Sequence, residues 1–115
     1  MNAVKVLVYP VSDLAATKAF FTNLLGADPY VDSPYYVGFR TGELEIGLAP
    51  AASQHGASSA IAYVDVADIK AALAALVAGG AEKVQDVTDV ANGLLTAIVK
   101  NPDGTPVGLR QHPNS

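Results

Sequence analysis

The sequence predicts an α+β domain assembled from two copies of one strand–helix–strand–strand unit. Three observations carry that expectation. The first is a repeat. Val11-Ser12-Asp13-Leu14 opens an amphipathic helix ending at Gly26-Ala27, and Val66-Ala67-Asp68-Ile69 opens another ending at Gly80-Ala81. Asp13 and Asp68 lie 55 residues apart and Gly26 and Gly80 lie 54 apart, close to half of the 115-residue chain. A period of that size marks two supersecondary units sharing one domain. The second observation is that short β-branched runs flank both helices, as strands do. The third is composition: half the residues are apolar and 16% are charged, which is a globular balance and not a disordered one.

The elements follow in order. Residues 3–9, Ala-Val-Lys-Val-Leu-Val-Tyr, form a first strand, and Pro10 ends its regular pairing or marks an edge. Ser12 or Asp13 caps the first helix, because a short side-chain oxygen accepts a free first-turn N–H. Leu14, Phe20, Phe21, Leu24 and Leu25 give that helix a broad apolar face, and Gly26 supplies the left-handed exit. Tyr35–Arg40 and Glu43–Leu48, joined by Thr41-Gly42, read as a hairpin. Residues 49–58 lack periodicity and read as the linker between halves.

The second half restarts with a strand at Ile61–Val66. Its helix carries Ile69, Ala72, Leu73, Leu76 and Val77 at i, i+3, i+4, i+7 and i+8, one apolar stripe stopped by Gly79-Gly80. A strand around Val84, a turn at Asn92-Gly93 and a strand at Leu94–Lys100 come next. Asn101-Pro102-Asp103-Gly104 is a tight turn, since Pro presets φ and Asp and Gly tolerate the remaining positions. Pro106–Gln111 closes the chain as a strand. One further short strand is expected in each half. The single domain, 1–115, thus divides into module 1, about 1–52, and module 2, about 58–115.

Composition excludes several functions. A net charge of −4 and a pI near 4.8, with no run of Lys or Arg, speak against nucleic acid or an anionic membrane as partner. The chain has no cysteine, hence no disulfide, thiolate nucleophile or thiolate metal site, which fits a cytoplasmic location. The apolar stretch Val4–Val11 is too short to span a bilayer. His55 falls in the linker and His112 in the tail, and neither sits on a predicted rigid element. Ser53 and Ser58 lie near His55, but in an irregular segment that gives a nucleophile and base no fixed geometry. Gly79-Gly80 ends a helix and so cradles no phosphate.

Taken in order along nearly the whole chain, several pieces resemble the vicinal oxygen chelate superfamily of glyoxalases, bleomycin-resistance proteins and ring-cleaving dioxygenases. They are Val11–Leu14 with Phe20-Phe21 and Leu25-Gly26, Val66–Asp68 with Gly80-Ala81, Gly93, and Asn101–Gly104. Asn101 departs from the Asp that usually opens the last motif. The resemblance implies two βαβββ modules whose mixed sheet curls into a cup, with the helices outside. It also implies a divalent metal held by His or Gln on each first strand and Glu on later strands. Those positions fall here on Val6, Ile61, Gly108 and Glu45. Val, Ile and Gly side chains donate no lone pair, so no metal and no other cofactor is expected.

Strand alternation assigns the faces. Val37, Phe39, Leu44, Ile46, Leu48, Val107 and Leu109 should face the helices. The cup should then be lined by Val6, Val8, Tyr36, Arg40, Glu45, Ile61, Tyr63, Asp65, Gly108 and Arg110, with Gly38, Gly47 and Gly108 keeping its floor open. Apolar walls with a few orienting polar groups suit an organic ligand, and tyrosine adds a flat face with one hydroxyl. Plainer readings stand beside this one. Glu45 with Arg40 or Arg110 makes an ordinary cross-strand ion pair. Tyr36 and Tyr63 fill a collapsed cup or a dimer seam, and Gly108 is a bulge residue.

The expected function is metal-independent binding, by sequestration or resistance, of a small aromatic molecule in a cup at or near a homodimer interface. The expectation leans away from an enzyme. The alternative is a glyoxalase-like lyase or isomerase, or a dioxygenase-related enzyme, with Glu45 as acid/base and Tyr63 or Arg110 stabilising an oxyanion. A third reading is a closed cup with only a structural or regulatory role.

Overall fold

The computed structural model describes residues 1–54 and 59–113. Two compact units emerge, one of Lys5–Ile61 and one of Met1–Val4 with Ala62–Ser115. The first holds strand β1 (Ala3–Val11), helix α1 (Leu14–Leu25), β2 (Val31–Asp32), β3 (Val37–Thr41) and β4 (Leu44–Pro50). The second holds β5 (Ile61–Asp65), α2 (Ile69–Ala78), β6 (Glu82–Ala91), β7 (Leu94–Lys100) and β8 (Pro106–Gln111). Both are βαβββ. In the first, the strand order is β2-β3-β4-β1, with β1 parallel to β4 and the hairpins antiparallel. In the second it is β5-β8-β7-β6, with β5 parallel to β8. The repeat in sequence is a repeat in connectivity, and the fold is α+β with a mixed sheet in each unit.

The repeated Asp and Gly residues do the same work twice. Asp13 Oδ1 accepts from the Ala16 amide at 3.0 Å, and Asp68 Oδ1 accepts from the Ala71 amide at 3.1 Å. Gly26 ends α1 at φ +71°, and Gly80 follows α2 at φ +105°. A second anchor for α2 comes from the last strand: Gln111 Oε1 accepts from the Ile69 amide at 2.7 Å. Asn92 and Gly93 both take positive φ, as a two-residue hairpin turn demands. In the turn after β7, Asn101 Oδ1 accepts from both the Asp103 and Thr105 amides at 3.0 Å.

Each unit packs its helix on one sheet face. Phe21 sits among Val37, Phe39 and Leu48, with Tyr9, Val11, Leu14, Leu25 and Ile46 around them. Ile69 and Leu73 sit among Ala97, Val99 and Leu109. The expected alternation of β3, β4 and β8 therefore holds, except that Leu44 is half-buried and outside this core.

Several boundaries and faces differ from expectation. β1 runs through Pro10, which stands opposite Ala49. A parallel ladder uses the amide of every second residue, so one proline near a strand end is accommodated. β4 continues to Pro50 and a 3-10 turn covers Ala51–Gln54, so much of the expected linker is ordered. The expectations for His55 and Ser58 lie outside the described residues. β3 begins at Val37, leaving Tyr35 and Tyr36 in the preceding turn. Phe20 is 61% exposed and Leu24 is also exposed. Each is one residue, about 100° of helix, away from Phe21 or Leu25, and that rotation carries it off the core face. Leu76 and Val77 likewise emerge at the end of α2. Among the described residues no helix is long and apolar enough to cross a membrane.

Candidate functional site

On β1, the side chains next to the helix-facing Tyr9 and Val11 alternate to the other face, and there Val6 stands directly opposite Glu45 and Val8 opposite Gly47. On the other side of β4, Arg40 is the partner of Glu45 and Gly38 the partner of Gly47. The expected lining residues of module 1 thus share one patch. The Glu45 side chain is only 13% exposed. Both of its oxygens are engaged: the Tyr30 hydroxyl donates to Oε1 and the Tyr36 hydroxyl to Oε2.

Both tyrosines are held by their backbones. The Tyr30 amide donates to the Gly38 carbonyl at 2.9 Å. Ser33 closes a turn in which its Oγ accepts from the Tyr36 amide at 3.1 Å and its amide donates to the Tyr36 carbonyl at 3.0 Å. The Arg40 guanidinium lies 4.8 Å above the Tyr30 ring centre, with Nη2 4.0 Å from Glu45 Oε1. Burial, then the hydrogen bond and charge of Glu45, push the Tyr30 hydroxyl above its usual pKa, and Arg40 partly opposes this. Tyr30 therefore stays a proton donor. It lies between α1 and β2, where no periodicity flags it, and sequence reasoning missed it.

Glycine makes this cluster possible. A Cβ on Gly47 would fall 2.6 Å from Tyr36 Cζ, and one on Gly38 would fall 3.1 Å from Tyr36 Cε2 and 3.3 Å from Glu45 Oε2. The expected open floor is thus a covered one, because the absent side chains leave room for a tyrosine ring. Module 2 repeats the device. Tyr63 pairs with Gly108, and a Cβ there would lie 2.5 Å from Tyr63 Cε2. Tyr63 is 6% exposed, and burial pushes its hydroxyl up to about 12.

The registers also relate the two modules position by position. Val8 faces Gly47 as Tyr63 faces Gly108, so the module-1 counterpart of Gly108 is Gly47, and Glu45 stands one pleat earlier. On β5 and β8, Asp65 and Arg110 are direct partners. Arg110 Nε and Nη2 donate to the two Asp65 oxygens at 2.7 and 3.1 Å, and His112 Nε2 lies 3.3 Å from Asp65 Oδ2. Of the two partners expected for Glu45, Arg40 is the one beside it, and Arg110 pairs with Asp65, a pair the sequence reading did not name. Ile98, the β7 partner of Gly108, is also buried on this face and was not anticipated.

These residues do not fit a divalent metal. Val6 and Ile61 are buried hydrocarbon, the Gly108 position lies under the Tyr63 ring, and both Glu45 oxygens already accept phenol protons. Among the described residues no three His, Cys, Asp or Glu side chains gather. Val6, Val8, Ile61 and Tyr63 are all buried, which leaves exposed surface on Tyr30, Tyr36, Arg40 and Glu45 in module 1 and on Asp65 and Arg110 in module 2. Two surface cavities lie elsewhere. One of about 600 Å³ runs along α1 past Ala15, Lys18, Ala19 and Thr22, and one of about 270 Å³ lies between α2 and β6. Neither is lined by a residue of the candidate site.

Two βαβββ units, each with its helix on one sheet face and a tyrosine over a glycine on the other, define the class. The chain belongs to the glyoxalase/bleomycin resistance protein/dioxygenase superfamily, whose family model matches residues 3–109. Solved structures share the fold at low identity. A glyoxalase/bleomycin resistance protein/dioxygenase superfamily member from Vibrio splendidus is 18% identical over 97% of this chain and 100% of its own, with a TM-score of 0.72. A structure from Legionella pneumophila described as an NAD-dependent benzaldehyde dehydrogenase is 18% identical over 92% and 96%, at 0.78. The methylmalonyl-CoA epimerase of Streptomyces coelicolor is 13% identical over 96% and 94%, at 0.71. No curated protein matches the sequence.

Proposed function

We propose that this protein binds a small planar organic molecule without a metal, at the Tyr30, Tyr36, Arg40 and Glu45 patch. The observation that carries the reading is Glu45: a little-exposed carboxylate fixed by two phenol hydroxyls, with no cluster of three His, Cys, Asp or Glu side chains for a metal ion among the described residues. A carboxylate so held orients a ligand, and two tyrosine rings beside it offer flat faces. Val6 and Val8 back the patch. Sequestration of such a molecule is the role this chemistry suits.

An isomerase or lyase using Glu45 is the second reading, favoured by the Tyr30 phenol, a retained proton donor beside the carboxylate. Taking a proton from a substrate would weaken one of the two phenol hydrogen bonds that Glu45 accepts, which sets a cost against that reading.

The test is thermal denaturation against neutral, anionic and cationic one- and two-ring aromatics, with and without chelator. Saturation at about 100 times Kd adds about 2.7 kcal/mol of stability, a shift of several degrees for a domain this size. We expect such a shift for part of the panel, unchanged by chelator and lost in Tyr36→Ala. No shift anywhere, or a shift that needs added metal, overturns the reading. Conversion of a bound compound favours the enzyme instead.

A further inference from the structure

We infer that the place held by the Arg40 guanidinium, between the Tyr30 ring and the Glu45 carboxylate, is a subsite for a ligand's planar nitrogen cation, with Arg40 as its tethered competitor. This rests on the proposed binding role and names the ligand class for the same patch.

The argument begins with two Arg–carboxylate pairs across neighbouring strands. In module 2, Arg110 grips Asp65 through two hydrogen bonds of 2.7 and 3.1 Å, and its side chain is 16% exposed. That is the bidentate, charge-assisted arrangement that satisfies both partners. In module 1, Arg40 stops 4.0 Å from Glu45, too far for a direct hydrogen bond, and its side chain is 58% exposed. The oxygen facing Arg40 already accepts the Tyr30 hydroxyl. Glu45 is therefore hydrogen-bonded by neutral groups while its charge is only loosely balanced.

The carbon of the same guanidinium lies 4.8 Å from the centre of the Tyr30 ring. A cation there gains from the ring face and from the carboxylate together, and more so as water leaves. Arg40 holds this place from a long, largely exposed side chain, so it can move into solvent at the cost of its contact with Tyr30. Tyr30 is itself half-exposed, which leaves its outer face reachable. The net charge of −4 favours approach of a cation over an anion. A planar amidinium or guanidinium on an aromatic body supplies the same charge to the ring face and carries donors for the carboxylate.

The experiment compares benzamidinium with benzamide, its neutral planar counterpart, by calorimetric titration of the full chain. Arg40→Gln removes the competitor, and we expect it to tighten benzamidinium about fivefold or more relative to benzamide. Tyr30→Leu removes the ring face and should weaken benzamidinium more than benzamide. Glu45→Gln should weaken benzamidinium at least tenfold. Unchanged or weaker benzamidinium binding in Arg40→Gln overturns the subsite, as does equal loss of both probes in Tyr30→Leu. If neither probe binds but neutral aromatics of the thermal panel do, the cation subsite fails and the binding reading stands. If nothing in the panel binds, both fail.

Discussion

Tyr63 and Gly108 show how much rests on one missing methyl group. A Cβ at residue 108 would stand 2.5 Å from Tyr63 Cε2 and 2.7 Å from Cγ, and the ring is buried. Gly108→Ala should therefore destabilise by roughly 1–3 kcal/mol, the usual cost of overpacking. Gly38→Ala meets its nearest atom at 3.1 Å, beside a tyrosine less deeply buried, so its cost should be smaller. Urea denaturation of both variants checks the order, and equal midpoints would contradict it. Tyr63 also makes a pH prediction. Burial raises its hydroxyl from 10.0 to about 12, so the folded state holds its proton where the unfolded chain has lost it. The stability this gives is fully present below pH 10 and is lost as pH rises through 12, by roughly 2–3 kcal/mol at about 1.4 per pH unit. Tyr63→Phe has no such proton, so its stability should fall less steeply over that window. At this scale the sequence was partly legible. Alternation alone put Glu45 on one patch with Val6 and Arg40. It did not show that two phenols hold Glu45, because Tyr30 comes from a loop whose direction no period encodes. Nor did it show glycine as a seat for a ring, since a missing side chain reads equally well as open space.

At the scale of elements, the signals that held were those with a local physical cause. Asp13 and Asp68 cap, Gly26 and Gly80 exit, and Asn101 folds its turn, because each acts within a few residues of itself. Helix faces were harder to read. On α1, apolar side chains occupy an arc wider than the sheet covers, and the sequence does not say which edge of the arc stays wet. The core takes Phe21, whose ring lies 5.3 Å from Tyr9 and 6.2 Å from Phe39, while Phe20 meets Phe21 edge-on from outside. Phe21→Ala should cost about 3–5 kcal/mol, as for other buried aromatics. Phe20→Ala should cost less than about 1 kcal/mol, because most of that ring is already in water. Thermal or urea unfolding of the two neighbours decides the matter, and a larger loss for Phe20→Ala would mean that another surface covers it.

At the scale of the molecule, the repeat was the most legible feature, because two copies of one unit leave paired signatures that no single element leaves. What one chain cannot announce is how it ends its sheets. In the first unit the strand order runs out to β2, and in the second it runs out to β6. β2 has only two residues, whereas β6 runs for ten, with register shifts between Lys83 and Gln85, Gln85 and Thr88, and Asp89 and Ala91. Short edges and bulged edges both discourage continued strand pairing with other molecules, so open-ended stacking is disfavoured. Association should then use side-chain surface and close on itself, and the commonest closed arrangement is a two-fold pair. Phe20 and Leu24, exposed one turn apart on α1, are apolar surface that such a pair could cover. We propose a homodimer on these grounds. Sedimentation equilibrium at micromolar concentration should give twice the 11.8 kDa chain mass, and Leu24→Lys should shift it toward that mass itself. A wild-type protein that sediments as one chain would show that the outer face of α1 is simply tolerated in water, and that the Tyr30–Glu45 patch functions within a single copy.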